Sequence, residues 1–159
     1  MLEQEIASAM KFIIDKAGNP APYYGNVPQD FLVPAVFFPQ PEIDSEGYTL
    51  DSYALKYSWF VKFFAKDTQS AQHMGRSVLT ALKGNRNAVP LIDEDGELTD
   101  RRFRMKDPLL KPIDDMAVQL TLMWVSPRLY DADDVQKADE INFNIGLKNA
   151  FDNAVKQIK

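Results

Sequence analysis

The stretch YALKYSWFVKFFA, residues 53–65, sets the fold class. Tyr53, Leu55, Tyr57, Trp59, Val61, Phe63 and Ala65 alternate with Ala54, Lys56, Ser58, Phe60, Lys62 and Phe64, the period-two pattern of a β-strand. At roughly 3.3 Å per residue such a strand runs about 43 Å, against roughly 17–20 Å for ordinary strands. It is therefore bent, or it extends past the body of the domain. One face is wholly apolar and belongs in a core. The other mixes lysines with Phe60 and Phe64, more aromatic surface than a solvated face carries, so part of it is expected to be covered.

On either side of this strand the period changes to that of a helix. Downstream, Asp67 or Thr68 offers an N-cap, and Ala71, Met74, Val78, Leu79 and Leu82 predict a helix over 68–83, ended by Gly84-Asn85. Upstream, Leu2, Ile6, Ala9, Met10, Ile13 and Ala17 share one face of a helix over 2–17, stopped by Gly18, Asn19 and Pro20. The connection 19–41 holds six of the ten prolines, so it reads as an extended segment with room for a short edge strand at Ala35–Phe38. Tyr23, Tyr24, Phe31, Phe37 and Phe38 equip it to grip the core or a partner.

Toward the C-terminus, AVPLIDEDGELTDRRFRMKD (88–107) reads as a charged hairpin or long loop, its charged part spanning 93–111, with Asp95-Gly96 at the turn and Pro90 holding one arm to an edge. MAVQLTLMW (116–124) alternates again and forms a second long strand, closed by Ser126-Pro127. A last helix is expected over 131–159, with Asp131, Asp133 and Asp134 at its start and Ile141, Ile145, Leu147, Phe151, Ala154, Val155 and Ile158 along it. The 159 residues suit one domain. Strands and helices are interspersed without strict βαβ alternation, which gives an α+β fold with a mostly antiparallel sheet and helices on one face.

Composition excludes much chemistry. There is no cysteine and a single histidine, His73, so disulfides, iron–sulfur clusters, thiolate zinc sites and thiol nucleophiles are out. His73 lies off the apolar stripe of its helix and reads as an exposed side chain. The acids at 93–95 and 131–134 lack the spacing of a calcium loop, and turn or helix capping accounts for them. Asp114 and Asp115 point to opposite faces of a strand, and capping of the strand entry accounts for them. The seven glycines are isolated, which removes phosphate-binding loops. No catalytic residue, metal or cofactor is expected, and the reading is non-enzymatic. The net charge of −5 disfavours a general nucleic-acid binder. The first 18 residues lack the cationic start of a secretory signal, and no apolar run is long enough to span a membrane, so a soluble protein made in a cytoplasm is expected.

One charge pattern stands out. Asp93, Glu94, Asp95, Glu97 and Asp100 are followed by Arg101, Arg102, Arg104, Lys106 and Lys111, which puts acidic and basic blocks on opposite arms of one hairpin. Cross-strand pairing would make it a solvated hairpin. Alternatively, the two blocks offer complementary patches for a head-to-tail subunit contact, or the arginines face phosphates of DNA passing through a ring.

The order of elements resembles the tail terminator (tail completion, minor tail protein U-like) family of long-tailed bacteriophages. The resemblance rests on the N-terminal helix, YALKYSWFVKFFA running into TQSAQHMGRSVLTAL, and MAVQLTLMW, and it covers residues 1–127. It implies a hexameric ring in the virion that caps the tail tube, stops its growth and joins it to the head or neck connector, with contact to the sheath in contractile tails and DNA passing through without sequence-specific binding. Asp93, Glu94, Asp95, Arg101, Arg102, Arg104, Lys106, Phe60 and Phe64 are the candidate interface residues. Other readings are a different neck or head-completion protein, or a small-ligand domain with a pocket of Tyr57, Trp59 and Trp124.

Overall fold

The structure is a computed structural model and describes residues 3–131. The chain divides into two compact units, Met1–Arg128 and Leu129–Lys159. The architecture given below is that of the first, and the helix expected over 131–159 lies outside the described residues. The order is α1 (Gln4–Lys16), β1 (Ala21–Tyr24), β2 (Ala35–Phe38), β3 (Glu42–Thr49), β4 (Ser52–Phe64), α2 (Thr68–Gly84), β5 (Ala88–Ile92), β6 (Leu98–Arg104), β7 (Leu109–Asp114) and β8 (Ala117–Leu129). This is an α+β fold with a mostly antiparallel sheet.

The sheet runs β1-β2-β4-β8-β7, and β3 adds to β4 beside β2. Strand β4 is long enough to take two partners end to end. Its inner end pairs with β2 through Ala35–Phe64 and Val36–Phe63, and its outer end pairs with β3 from Glu42–Ser58 to Thr49–Ser52. The excess length thus forms a β3–β4 hairpin, and all eight residues of β3 are exposed. Strand β8 runs antiparallel to β4, since Ala65 N–H donates to the Met116 carbonyl at one end while Tyr57 stacks on Trp124 further along.

Strands and helices meet over one core. Ile6, Ala9, Met10 and Ile13 of α1 and Ala71, Met74, Val78 and Leu82 of α2 are buried against Trp59, Val61, Phe63, Leu120, Leu122 and Trp124. Each buried aromatic removes about 150–250 Å² from water, a stabilisation of about 4–6 kcal/mol before entropy is charged. Tyr57, Trp59 and Trp124 are packed among themselves, with Tyr57 and Trp124 stacked at 4.7 Å and Trp59 edge-on to Trp124 at 6.2 Å, so their rings fill the core.

Several expectations are sharpened. Asp67 caps α2, its carboxylate accepting from the Ser70 N–H at 2.7 Å. The connection 19–41 is more than a linker: β1 and β2 add two strands, paired parallel, to the sheet. Tyr24 stacks on Phe38 at 5.6 Å, and Phe31 lies 5.1 Å from Phe64, so the segment wraps the domain and covers part of the second face of β4. Strand β8 continues through Ser126-Pro127 instead of ending there, with Pro127 on an exposed position. The charged stretch 93–111 is not one hairpin. Asp93–Gly96 form the turn between β5 and β6, and from Leu109 the chain enters β7, which pairs with β8.

Candidate functional site

The β5–β6 hairpin does not project from the domain. It lies along α1, held by side chains spaced four and three residues apart on the helix. Gln4 donates to the Ile92 carbonyl at 2.6 Å, Ser8 Oγ accepts from the Ile92 N–H at 2.9 Å, and Lys11 donates to the Gly96 carbonyl at 2.6 Å. The turn uses its own acid: the Asp93 carboxylate accepts from Asp95 N–H at 3.0 Å and Glu97 N–H at 2.8 Å, while Gly96 takes the positive φ of 82° that the turn demands. Asp93 is therefore spent on backbone donors. Asp114 does the same work in the β7–β8 turn, accepting from Met116 N–H at 2.8 Å.

The acidic and basic blocks are consequently not opposite one another. The acids Asp93, Glu94 and Asp95 sit in the turn, whereas the partners of Arg102 and Arg104 across the ladder are Pro90 and Ala88. The ion pairs among the described residues are Asp15–Lys16, Glu46–Lys56, Lys83–Asp107 and Glu3–Arg128, and none joins the turn to β6. Arg101 borders a depression with Gln4, Asp93 and Glu94 without pairing to them.

Strand β6 and its continuation sort their side chains by parity. Phe103 packs 5.7 Å from Trp124 and Met105 is buried where it bridges to Trp124, so Arg102, Arg104 and Lys106 all point outward and are exposed. Lys106 N–H donates to the Met123 carbonyl at 2.7 Å, which lays the end of this row against β8. Phe60 and Phe64 are half-buried on the second face of the sheet. Phe64 meets Phe31, and neighbouring Lys62 lies 5.7 Å over the Phe37 ring.

Sequence reasoning missed a polar clamp at the start of α1. Glu3 is the N-cap residue yet caps nothing with its side chain. Its carboxylate instead accepts from the Tyr57 hydroxyl and pairs with Arg128 at 3.3 Å, and Arg128 also donates to the Tyr57 oxygen at 3.1 Å. Two residues on, Glu5 accepts from Trp124 Nε1 and Ser126 Oγ, each at 2.9 Å. Burial first, then the bond to Glu3, pushes the Tyr57 hydroxyl well above the ordinary phenol range. The clamp ties α1 to β4 and β8. Acids in the first turn of a helix are ordinary, so the only signal in the sequence was a tyrosine and an indole in need of buried partners.

His73 is exposed on α2. Among the described residues no cluster of three or more acids and histidines could hold a metal ion, and no helix is long and apolar enough to cross a membrane.

No protein-family model matches the chain. It is similar to the uncharacterized protein YqbJ of Bacillus subtilis strain 168, with 29% identity over 147 residues, covering 92% of this chain and the whole of that protein. It is similar over the same length, at 26% identity, to the phage-like element PBSX protein XkdJ of the same strain.

Proposed function

We propose that this protein is a structural component of a tailed phage or phage-like particle, a tail terminator that forms a ring, in all a hexamer, at the head-proximal end of the tail. The observation that carries this reading is the match, over 92% of this chain and the whole of the relative, to a protein of the phage-like element PBSX. The α+β fold, with two 13-residue strands and an exposed hairpin, supports it, because such a chain has edges and faces to offer neighbouring subunits. In this role the protein is non-enzymatic and belongs to the virion. It caps the tail tube protein, stops its polymerisation and presents a surface to the head or neck connector, with the sheath as a further neighbour in a contractile tail. DNA passes through the ring without being read.

The test is to purify the protein, weigh it by analytical ultracentrifugation, image it by negative-stain microscopy, and incubate it with tail tubes polymerised from the cognate tube subunit. Rings of six at the ends of tubes are expected, with tube growth arrested. A protein that stays monomeric at high concentration and ignores tube ends overturns the reading. A ring that binds heads but not tubes would make it a neck or head-completion protein instead.

A further inference from the structure

The β3 edge of the main sheet and the separate two-stranded β5–β6 sheet carry opposite charge at the same pitch. On β3, Glu42, Asp44 and Glu46 alternate along the exposed strand, and their ladder partners Ser58, Lys56 and Ala54 place them on the same face as Phe60 and Phe64. Along β6 and its continuation Arg102, Arg104 and Lys106 alternate in the same way, following Asp100. Each row holds three charges over five residues, which is about 13 Å along a strand. Glu42, Asp44, Ser58, Met123 and Lys106 border one shallow groove that crosses β3, β4, β8 and the 105–106 bridge, so the Lys106 end of the basic row faces Glu42 and Asp44 across it.

The rows cannot satisfy each other within one copy. Where the basic row comes nearest β8, at Lys106, three strand spacings separate it from β3, about 14 Å. That exceeds the Debye length of about 8 Å at physiological salt. Among the described residues only Glu46 has an ion-pair partner, Lys56 at 2.8 Å, which raises the Lys56 pKa; Glu42, Asp44, Arg102, Arg104 and Lys106 have none. Two different surfaces of opposite sign are what a heterologous contact between identical chains requires.

We infer that the acidic row on the β3–β4 hairpin of one copy docks on the Arg102–Arg104–Lys106 row of the next copy, head to tail. This rests on the ring reading above and names its contact. The Asp93–Asp95 turn takes no part, being folded onto α1. Because the interface joins two different surfaces, it closes a ring, with no row left unmatched, when the rotation between copies divides a full turn.

Charge reversal tests this directly. The variants are E42K/D44K and R102E/R104E, each checked for a native circular dichroism spectrum and melting curve, with assembly read by analytical ultracentrifugation. Each alone should weaken assembly by about 100-fold or more, since like charges then meet at the contact. Mixed one to one, the two should assemble again, because each presents the other with an opposite row, and the particles should contain both in equal number. The four-fold variant E42K/D44K/R102E/R104E should also assemble alone. Raising salt from 0.05 to 0.5 M should weaken the wild type, as expected for screened rim charges. A wild type that assembles while the single-row variants assemble equally well overturns the contact and leaves the ring reading standing. A wild type that never assembles overturns both. If only R102E/R104E has an effect and mixing rescues nothing, the basic row faces another partner, such as DNA phosphate or the tail tube, and the proposed contact is wrong.

Discussion

The two hairpins of this domain have exchanged the roles that their sequences suggest. The β5–β6 hairpin carries the conspicuous charges, yet three side chains of α1 hold it and Phe103 and Met105 anchor it in the core. The β3–β4 hairpin is inconspicuous in sequence, yet every residue of β3 is exposed and its tip carries Tyr48 and Leu50 into solvent. Charge density is thus a poor guide to which segment reaches outward. What decides is whether alternate residues are apolar: β6 alternates Arg102 and Arg104 with Phe103, and β3 offers no such face. A strand with a buried face is body, and one without is arm.

The contrast can be broken most severely at its anchored side. Trp124→Ala removes the ring that stacks on Tyr57, meets Trp59 and Phe103, and donates to Glu5. A loss of about 3–5 kcal/mol is expected in urea unfolding. A loss under 1 kcal/mol would mean that the β6 anchor is not part of the core. Next comes Ser8→Ala. Ser8 is buried, and its hydroxyl accepts from Ile92 N–H while donating to the Gln4 carbonyl. Leaving that amide unpaired should cost about 1–3 kcal/mol and speed hydrogen exchange across β5 and β6 while β3 and β4 exchange as before. Uniform acceleration in both hairpins would deny that α1 holds the β5–β6 hairpin selectively.

The pH limbs report on the same division. Asp107, at the junction of β6 and β7, accepts from Lys83 at 2.5 Å and Asn87 at 2.8 Å, with Lys83 the larger cause of a carboxyl held below its ordinary value. A depressed folded pKa adds stability that is present above the unfolded value of about 3.9 and fades as pH falls through the folded one. Asp107→Asn should therefore flatten part of the acid limb of a stability profile and leave pH 7 to 9 nearly unchanged in slope. Tyr57 has the opposite sign: its raised pKa adds stability that is complete below the unfolded value of about 10 and is lost as pH climbs through the folded value. Tyr57→Phe should remove that alkaline decline. An unchanged alkaline limb would show that the hydroxyl is not held neutral by burial and Glu3.

What was legible in the sequence follows the burial. The inner half of β4, most of β8, and both helices have one buried face each, and burial imposes the period that reveals them. In the outer half of β4 the pattern loosens, with Ser52 and Ala54 buried while Tyr53 and Leu55 are only half-covered. Strands β3 and β7 have almost no buried side chains, and so their sequences carry no alternation to read. The excess length of the first strand was nevertheless a clue, because its backbone donors and acceptors beyond the body need a partner strand. The candidate residues divided in the same way. Parity separates Arg102, Arg104 and Lys106 from Arg101, while the clamp of Glu3, Tyr57 and Arg128 joins residues 54 and 71 positions apart, beyond the reach of any local pattern.

The smallest effect is expected at the far end of the arm. Leu50 is 99% exposed and Tyr48 58% exposed at the tip between β3 and β4, so little burial is at stake there. Leu50→Ser should change unfolding free energy by no more than about 0.5 kcal/mol, the range of surface sites without special contacts. The same substitution in a packed hairpin would cost several times more. A large loss of stability in the isolated protein would mean that the β3–β4 tip is held like its charged counterpart, and the distinction between arm and body would collapse. A change in the assembled particle alone would instead show that the tip meets a neighbour, because only burial created by assembly can make so exposed a leucine matter.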